Sequence, residues 1–547
     1  MEDTPFDVII LGTGLTESVV AAALSKWGFK VAHVDENSYY GGNEASLTLD
    51  EFVEWIDTPP PHSSKISRAS RSSEVPPFAR QYSICLCPTI IPSTGPFIDA
   101  LVQSGVSKYS SFRLLERIAV YDGSGGLKNV PGSKEDVFKN QDISLIQKRR
   151  LMRFLTFAIG DFEQSSELQD KHDLPFTVFL ETVFHLDKEL VDVITYALAY
   201  SNKEADSIST ILHRIRRYLR SAGRYGPSPF LVGHYGGIGE ITQGFCRAAA
   251  VNGAVYILGK KIISINAAET LNQSINEESP ESDLSKNHPQ YSVTLEDIPG
   301  PLRTDVIIGT NPYVSNQFLS RRQYSPLSSD LKAAYKANPI ARCIAIIESP
   351  ISMSFPSKVG EDDNEDSEQE ENARNTNGKV DTAVLVLPQG SVSGGSSKFS
   401  AVALMTGEGT LSTPKGKYIL YIALPVETDA AVDPSQILQP YIDILLKLGR
   451  EVAQEPIFTA FYIENAGETS PHAVGDPQHN VHGSWFIPPP VPLEPLGDIA
   501  DIATRNAENI FRNLLDILDN DGEHSHRVNT LNGGIWPQLI DLEEEEV

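Results

Sequence analysis

Gly12, Gly14 and Asp35 are the residues whose types and spacing could do chemistry. They lie in FDVIILGTGLTESVVAAALSKWGFKVAHVDENSYYGGN, Phe6 to Asn43. Glycines between a buried strand and a helix let the backbone approach a pyrophosphate at the helix N-terminus. An acid at the end of the next strand binds a ribose hydroxyl. The third glycine of that fingerprint, however, falls on Glu17. That glycine normally permits close helix–strand packing, and a carboxylate there places negative charge where phosphate would sit. These residues read as a dinucleotide-type fold whose cofactor site has been lost, so no bound cofactor is expected. A degenerate site that still holds a flavin is the alternative.

Other catalytic constellations are missing from the sequence. It contains no H-E-x-x-H, no G-x-S-x-G and no P-loop. His482, His524 and His526 lie in polar stretches and read as solvated. Cys85 and Cys87 have the wrong spacing for a zinc knuckle and no second pair, so the four cysteines read as reduced thiols and no metal is expected. The net charge of −27 argues against nucleic-acid or anionic-membrane binding through a general field and favours basic segments of protein partners. The first residues run directly into a core strand without a signal peptide, and no apolar run is long enough to span a bilayer. Glu543 to Val547 lacks a prenylation box. The expectation is a cytosolic protein.

The elements that must position these residues follow from patterning. Val8 to Leu11 is a continuous apolar run, as for a parallel strand buried on both faces; Ser18 to Trp27 reads as a helix and Val31 to Val34 as a second strand. Thr58 to Pro77 is rich in Pro, Ser and Arg and reads as a loop, and Tyr82 to Leu86 as a strand. Ile118 to Tyr121 and Leu127 to Val130 suggest a hairpin around Asp122 to Gly126. From Ser144 the spacing turns helical, with segments near Leu145–Phe162, Phe176–Phe184, Leu190–Tyr200 and Ile208–Leu219. Tyr235 onward returns to α/β texture, with a helix from Glu240 to Asn252 and a strand at Val255 to Leu258. Asn276 to Lys286 is a polar loop, and Glu361 to Lys379 is so poor in apolar residues that it reads as disordered. Pro434–Val452 and Ala500–Leu518 read as helices, and the tail after Asp519 as loose around Trp536.

Two stretches carry a resemblance. LGTGLTES followed by VDENSYYGG, and YGGIGEITQGFCRAAAVNGAVYIL from Tyr235 to Leu258, resemble the Rab GDP-dissociation inhibitor and Rab escort protein superfamily. That family shares its fold with flavoprotein oxidases and does no redox chemistry. The resemblance implies an α/β, flavoprotein-type FAD/NAD(P)-binding-like domain with mixed sheets, made of residues 1–110 and 226–547, with an acidic insert at 357–380 and a loose tail at 520–547. An all-helical domain, 111–225, would be inserted into it and would hold prenyl lipid and the transferase. It further implies a Rab-binding platform formed by Tyr39, Tyr40, Glu240, Gln243, Arg247 and the apolar Val255 and Ile257. A solvated helix face is the plainer reading of Arg247. Phe230 matches a position lining the groove for the Rab C-terminal tail, or is core.

A third stretch, VPGSKEDVFKNQDISLIQKRRLMRFLTF from Val130 to Phe157, resembles the escort branch through its D-V-F element and its R-L-M-R-F-L-T-F run. By that resemblance Phe157, and a nearby cation at Lys171, dock the α subunit of Rab geranylgeranyltransferase; a core aromatic is the alternative for Phe157. The implied function is non-catalytic. The chain would bind GDP-bound Rab, present it to the transferase α/β heterodimer, shield the geranylgeranyl groups and deliver prenylated Rab to a membrane. Two alternatives remain: a Rab GDP-dissociation inhibitor, which does not recruit the transferase, and an FAD-dependent oxidoreductase, for which Leu496-Gly497-Asp498 has the outline of a C-terminal flavin motif without its small residues.

Overall fold

The computed structural model describes residues 5–59, 66–130, 143–172, 174–201, 207–267, 291–309, 338–353, 380–427, 433–465, 484–489, 491, 493–496, 498–518 and 534–537. Asp136 to Phe138, Asn276 to Lys286 and Glu361 to Lys379, and the tail from 520 apart from 534–537, lie outside the described residues.

Phe6–Leu11 is the central strand of a mixed seven-stranded sheet. It pairs in parallel with Val31–Asp35 on one side and Leu302–Gly309 on the other, so Val8 faces Val31 and Val306. Val255–Leu258 adds in parallel beyond Val31–Asp35. The antiparallel strands Tyr291–Leu295 and Ile262–Ala267 close the other side, and Ser484–Phe486 joins Leu302–Gly309. Val8, Ile9, Ile10 and Leu11 are fully buried, as expected of a strand covered on both faces. The first helix, Leu15–Lys26, is buried from Leu15 to Ser25. It is apolar nearly all round because the sheet, the helix Ile238–Val251 and the last helix, Ile499–Leu518, all pack on it.

An eight-stranded sheet forms a second layer. Its order is Ile66–Arg71, Phe458–Glu464, Ile340–Ile347, Tyr418–Pro425, Ala401–Thr406, Thr382–Leu387, Arg117–Tyr121 and Leu127–Asn129. Along Ile340–Ile347 the period-2 alternation divides two cores. Ile344 and Ile346 face the core shared with the first helix, while Ala341, Cys343, Ala345 and Ile347 face the helix Pro434–Lys447.

Two expectations change here. Ile66–Arg71, read as loop, is an edge strand paired with Phe458–Glu464. Its middle residues are exposed, so no apolar alternation marks it, and Arg71 is held by Asp57 at 2.7 Å. The hairpin Arg117–Tyr121/Leu127–Asn129 forms as expected, but Arg117–Tyr121 adds to the large sheet beside Thr382–Leu387. Among the described residues, the first helix after this hairpin is the one that starts at Leu145.

The helical region comprises Leu145–Ile159, Phe176–Val183, Lys188–Asp192 and Ile208–Ser221. Three of these start at side-chain caps: Ser144 accepts from Gln147 N–H, Asp187 from Leu190 N–H and Ser207 from Thr210 N–H. Each such cap contributes about 1 kcal/mol. After Lys188–Asp192 the chain widens to a π-helix over Val193–Leu198, and Ala199 N–H donates to Ile194 C=O. Phe154, Phe176, Phe179 and Phe184 form its fully buried aromatic centre. No helix among the described residues is long and apolar enough to cross a membrane.

Candidate functional site

The strand–turn–helix at the N-terminus has the nucleotide-binding geometry, but its anion position is filled from within. A β-carbon built on Gly14 would lie 2.7 Å from Glu17 Oε2 and 3.2 Å from Glu44 Oε2. Both carboxylates therefore sit over the backbone that a pyrophosphate would approach. Leu15 N–H, in the first turn of the first helix, donates to Glu44 Oε2 at 3.3 Å. The positive end of that helix thus already has its anion. Glu17 is buried, at 5% exposure. A dinucleotide phosphate would meet two like charges in space already occupied, and these residues do not fit it.

The acid expected to bind ribose is also engaged. Asp35 Oδ2 accepts from Thr13 N–H at 2.8 Å and from Thr13 Oγ1–H at 2.6 Å. Asp35 Oδ1 accepts from Asn37 N–H at 2.8 Å and Asn37 Nδ2–H at 2.9 Å. Burial raises the pKa of this carboxyl, and the bonds from Thr13 and Asn37 pull it back down. Thr13 Oγ1 in turn accepts from Gly41 N–H at 3.0 Å. At the far end of the same fold, Asp498 accepts from Arg214 Nε at 3.3 Å and also pairs with Arg217 and Tyr200. Asp498, just before the last helix, is thus engaged with Ile208–Ser221.

The turn that follows Asp35 carries the two tyrosines. Gly41 has φ +97°, which only glycine adopts without strain. Tyr40 is half-buried, its ring edge-on to Tyr256 at 5.7 Å, and Tyr256 rests on His33 at 4.8 Å. His33 Nε2 lies 2.6 Å from Gly12 C=O, and burial lowers the imidazole pKa to about 4, so the ring is neutral and donates through Nε2. Tyr39 turns inward. Its hydroxyl is buried, and its pKa is pushed up to about 12 by burial and by the charges of Asp35 and Glu51. Tyr39 therefore supports the turn while Tyr40 lines the surface.

The helix Ile238–Val251 meets this turn through its glycines. A β-carbon on Gly239 would lie 2.3 Å from Ser46 N, so only glycine allows the helix to seat on Ala45–Ser46. That contact brings two distant stretches of sequence onto one surface. Glu240, Gln243 and Arg247 share the outer face of the helix by their i, i+3 and i+7 spacing. Gln243 and Arg247 are exposed; Glu240 is half-buried, and burial raises its pKa. The Arg247 guanidinium lies over the Tyr109 ring at 4.9 Å.

Two of the expected site residues, Ile257 and Phe230, are buried, and Phe157 is half-buried. Ile257 is 9% exposed and packs with Ile9, Leu11, Ala32 and Val34, because the inward face of Val255–Leu258 belongs to the sheet core. It is not a surface contact; Val255, at 39% exposure, is the outward residue of that strand. Phe230 is 1% exposed, with its ring edge-on to Tyr218 and Tyr200 at 5.6 and 6.0 Å, so it is core rather than the wall of an open groove. Phe157 is half-buried, its ring 5.2 Å from Phe184 and within 6.1 Å of Phe179 and Phe162. It is an edge of the aromatic cluster, not a free anchor, and Phe154 is the inward partner of the pair. Lys171 is half-buried and its ammonium donates to Glu167 C=O at 3.1 Å.

Sequence reasoning missed Tyr109 beneath Arg247, exposed Val251 beyond it, and Leu145 and Ile146, which are 77% and 63% exposed at the start of their helix. Tyr109 follows a short 3₁₀ turn and has no periodic signal of its own. Its clue is spatial: Gly244 lets the helix pass close to Val106 and Ser110.

Comparison with known proteins bears on the family and the fold. The chain is 35% identical over 265 residues to "Rab proteins geranylgeranyltransferase component A" of Candida albicans, covering 47% of this chain and 41% of that protein. It is 34% identical over 266 residues to the protein of the same name from Saccharomyces cerevisiae, covering 48% and 44%. The chain thus spans a little under half the length of these curated relatives. Among solved structures, Rab GDI from Plasmodium falciparum superposes with a TM-score of 0.60 at 20% identity, covering 93% of this chain and 98% of that one. An oxidoreductase from Methanosarcina mazei gives 0.52 at 12% identity, covering 94% and 100%. The fold is the expected α/β fold with mixed sheets, similar to Rab GDI and to oxidoreductases. The family model for GDI, GDP dissociation inhibitor, matches residues 1–286, and the chain belongs to that family.

Proposed function

We propose that this chain is a Rab escort protein, the non-catalytic component A of Rab geranylgeranyltransferase. It binds GDP-bound Rab on the surface formed by Tyr40, Glu240, Gln243 and Arg247. It presents the Rab tail to the α/β heterodimer of the transferase and carries the geranylgeranylated product to a membrane. The observation that carries this reading is the seating of Ile238–Val251, through buried Gly239, on Ala45–Ser46 just after the tyrosine turn, within the residues that match the family model. Tyr and Arg are the residue types favoured as interface anchors. The escort branch is supported by relatives named component A at 34–35% identity.

The protein works without a bound flavin or dinucleotide, a reading supported by Glu17 and Glu44 over Gly14 and by the hydrogen bonds that engage Asp35. The transfer chemistry and its metal belong to the partner. Each lipid methylene shielded from water is worth about 0.8 kcal/mol, which is why a prenylated Rab needs a carrier in the cytosol. The net charge of −27 suits that place: it disfavours standing attachment to an anionic membrane and permits release after delivery. Phe157 and Lys171 remain the proposed contact with the transferase, with Phe157 presenting the exposed edge of its ring.

The test is reconstitution. Purified chain, GDP-loaded Rab and the α/β transferase are combined with geranylgeranyl diphosphate, and lipid transfer to Rab is measured with and without the chain. Dependence of transfer on the chain supports the escort reading. Tight Rab binding without any stimulation of transfer indicates an inhibitor, a second reading favoured by the family description and by the superposition on Rab GDI.

A further inference from the structure

Asp35, at the position of the acid in a dinucleotide fingerprint, is buried and makes four hydrogen bonds to this chain's own groups. Those bonds lead to the tyrosine turn. Asp35 accepts from both donors of Thr13, and the Thr13 hydroxyl, donating its hydrogen bond to Asp35, accepts in turn from Gly41 N–H at 3.0 Å. Gly41 is the residue immediately after Tyr40, and its backbone sits in the left-handed region. From its other oxygen, Asp35 fixes Asn37 at the start of the same turn. One carboxylate therefore ties down both ends of the Asn37–Gly41 segment.

We propose that Asp35 and Thr13 are positioning residues for partner recognition, a pair of nucleotide-site groups that hold the Tyr40 ring in place for the GTPase. The proposal rests on the platform reading given above. Thr13 touches no partner, being fully buried, and acts through the backbone of Gly41. A carboxylate acceptor and a bridging hydroxyl suit this task because charge-assisted hydrogen bonds are short and directional. The edge-on contact of the Tyr40 ring with Tyr256 then completes the placement.

Thr13→Val keeps the side-chain volume and removes the bridging oxygen. Binding of GDP-loaded Rab, amide hydrogen exchange and Tm are measured together for this variant, for Thr13→Ser and for Arg247→Ala. The expected result is exchange accelerated within Asn37 to Gly42, Rab binding weakened about fivefold, the scale of one lost hydrogen bond, and recovery of both in Thr13→Ser. Unchanged exchange and unchanged affinity in folded Thr13→Val overturn the proposal. If Thr13→Val does not fold, Asn37→Ala decides, since it removes the side-chain bond to Asp35 Oδ1 and keeps the backbone one; faster exchange at Tyr39 to Gly41 together with weaker Rab binding supports the proposal, and unchanged Rab binding overturns it. Arg247→Ala leaves the turn intact. If it alone weakens Rab binding, the positioning role fails while the platform stands; if it too has no effect, the platform reading fails.

Discussion

Arg217 Nη1 donates to Asp501 Oδ2 at 2.6 Å, across the junction between the helical region and the last helix. Asp501 is 3% exposed, and its other oxygen accepts from Phe97 N–H at 3.1 Å, at the start of helix Pro96–Ser104. A single buried carboxylate thus joins three helices. Arg214 adds Glu494 at 2.8 Å to the same network. Removing one partner of such a pair leaves a buried charge uncompensated, at a cost of about 3–5 kcal/mol. Arg217→Met is expected to lower Tm sharply, and a Tm within a degree or two of the native protein would show the network to be dispensable.

The two carboxylates over Gly14 give a prediction about cofactors. Glu17→Gly restores the third glycine of the fingerprint, but Glu44 still caps the helix and Asp35 is still held by Thr13. Neither the native protein nor Glu17→Gly is expected to take up flavin. The check is the visible absorbance of both proteins after incubation with FAD and desalting; a saturable flavin band in the native protein would refute the account of this site.

His33 makes stability depend on pH. Burial lowers its pKa to about 4, against an ordinary value of 6.5. Between those values the unfolded chain binds a proton that the folded chain refuses. Its contribution is therefore full above 6.5 and is lost as pH falls toward 4, by on the order of 3 kcal/mol. Burial raises Asp35 and Glu240, which act in the opposite sense, so the comparison must be with a variant at each pH. His33→Phe keeps a ring beneath Tyr256, and its Tm is expected to fall less than that of the native protein on going from pH 7 to pH 5. Parallel Tm curves would contradict the assignment.

Phe157 stands at the edge of an aromatic cluster, which sets the size of its effect. Complete burial of a Phe is worth about 3–5 kcal/mol on truncation; half-buried Phe157 is expected to cost about 2 kcal/mol. Phe157→Ala should weaken binding of the transferase heterodimer more than binding of Rab, whose surface is on the other region. Denaturant unfolding and two titrations with this one variant separate a contact residue, which loses transferase affinity at permissive stability, from a purely structural one.

How much was legible in the sequence differs from place to place. The strand Val8–Leu11 and the glycine turn could be read because parallel strands carry continuous apolar runs and because glycine spacing reflects backbone geometry. The carboxylate of Glu17 could be read from its place in the fingerprint, but that of Glu44 could not: its position over Gly14 depends on the path of the turn. Gln243 and Arg247 were named by the resemblance alone, and they lie on an exposed face of their helix. Ile257 was misread because a four-residue strand presents opposite faces at alternate positions, and only the pairing with Val31–Asp35 decides which face is inward. Phe230 and Phe157 show the limit for aromatics, whose burial depends on partners such as Tyr218 and Phe184 from separate helices. Ile66–Arg71 escaped as an edge strand whose exposed residues leave no pattern.

The central claim is that this chain bridges a GTPase and a transferase, and one titration addresses it most directly. The α/β heterodimer of Rab geranylgeranyltransferase is titrated into the chain preloaded with GDP-bound Rab, alongside Tyr40→Ala and Arg247→Ala. The account predicts a saturable ternary complex for the native protein, and for the two variants a Rab affinity lower by about 1–3 kcal/mol with Tm unchanged. Failure of the native chain to bind the heterodimer while holding Rab tightly would contradict it and make the protein an inhibitor.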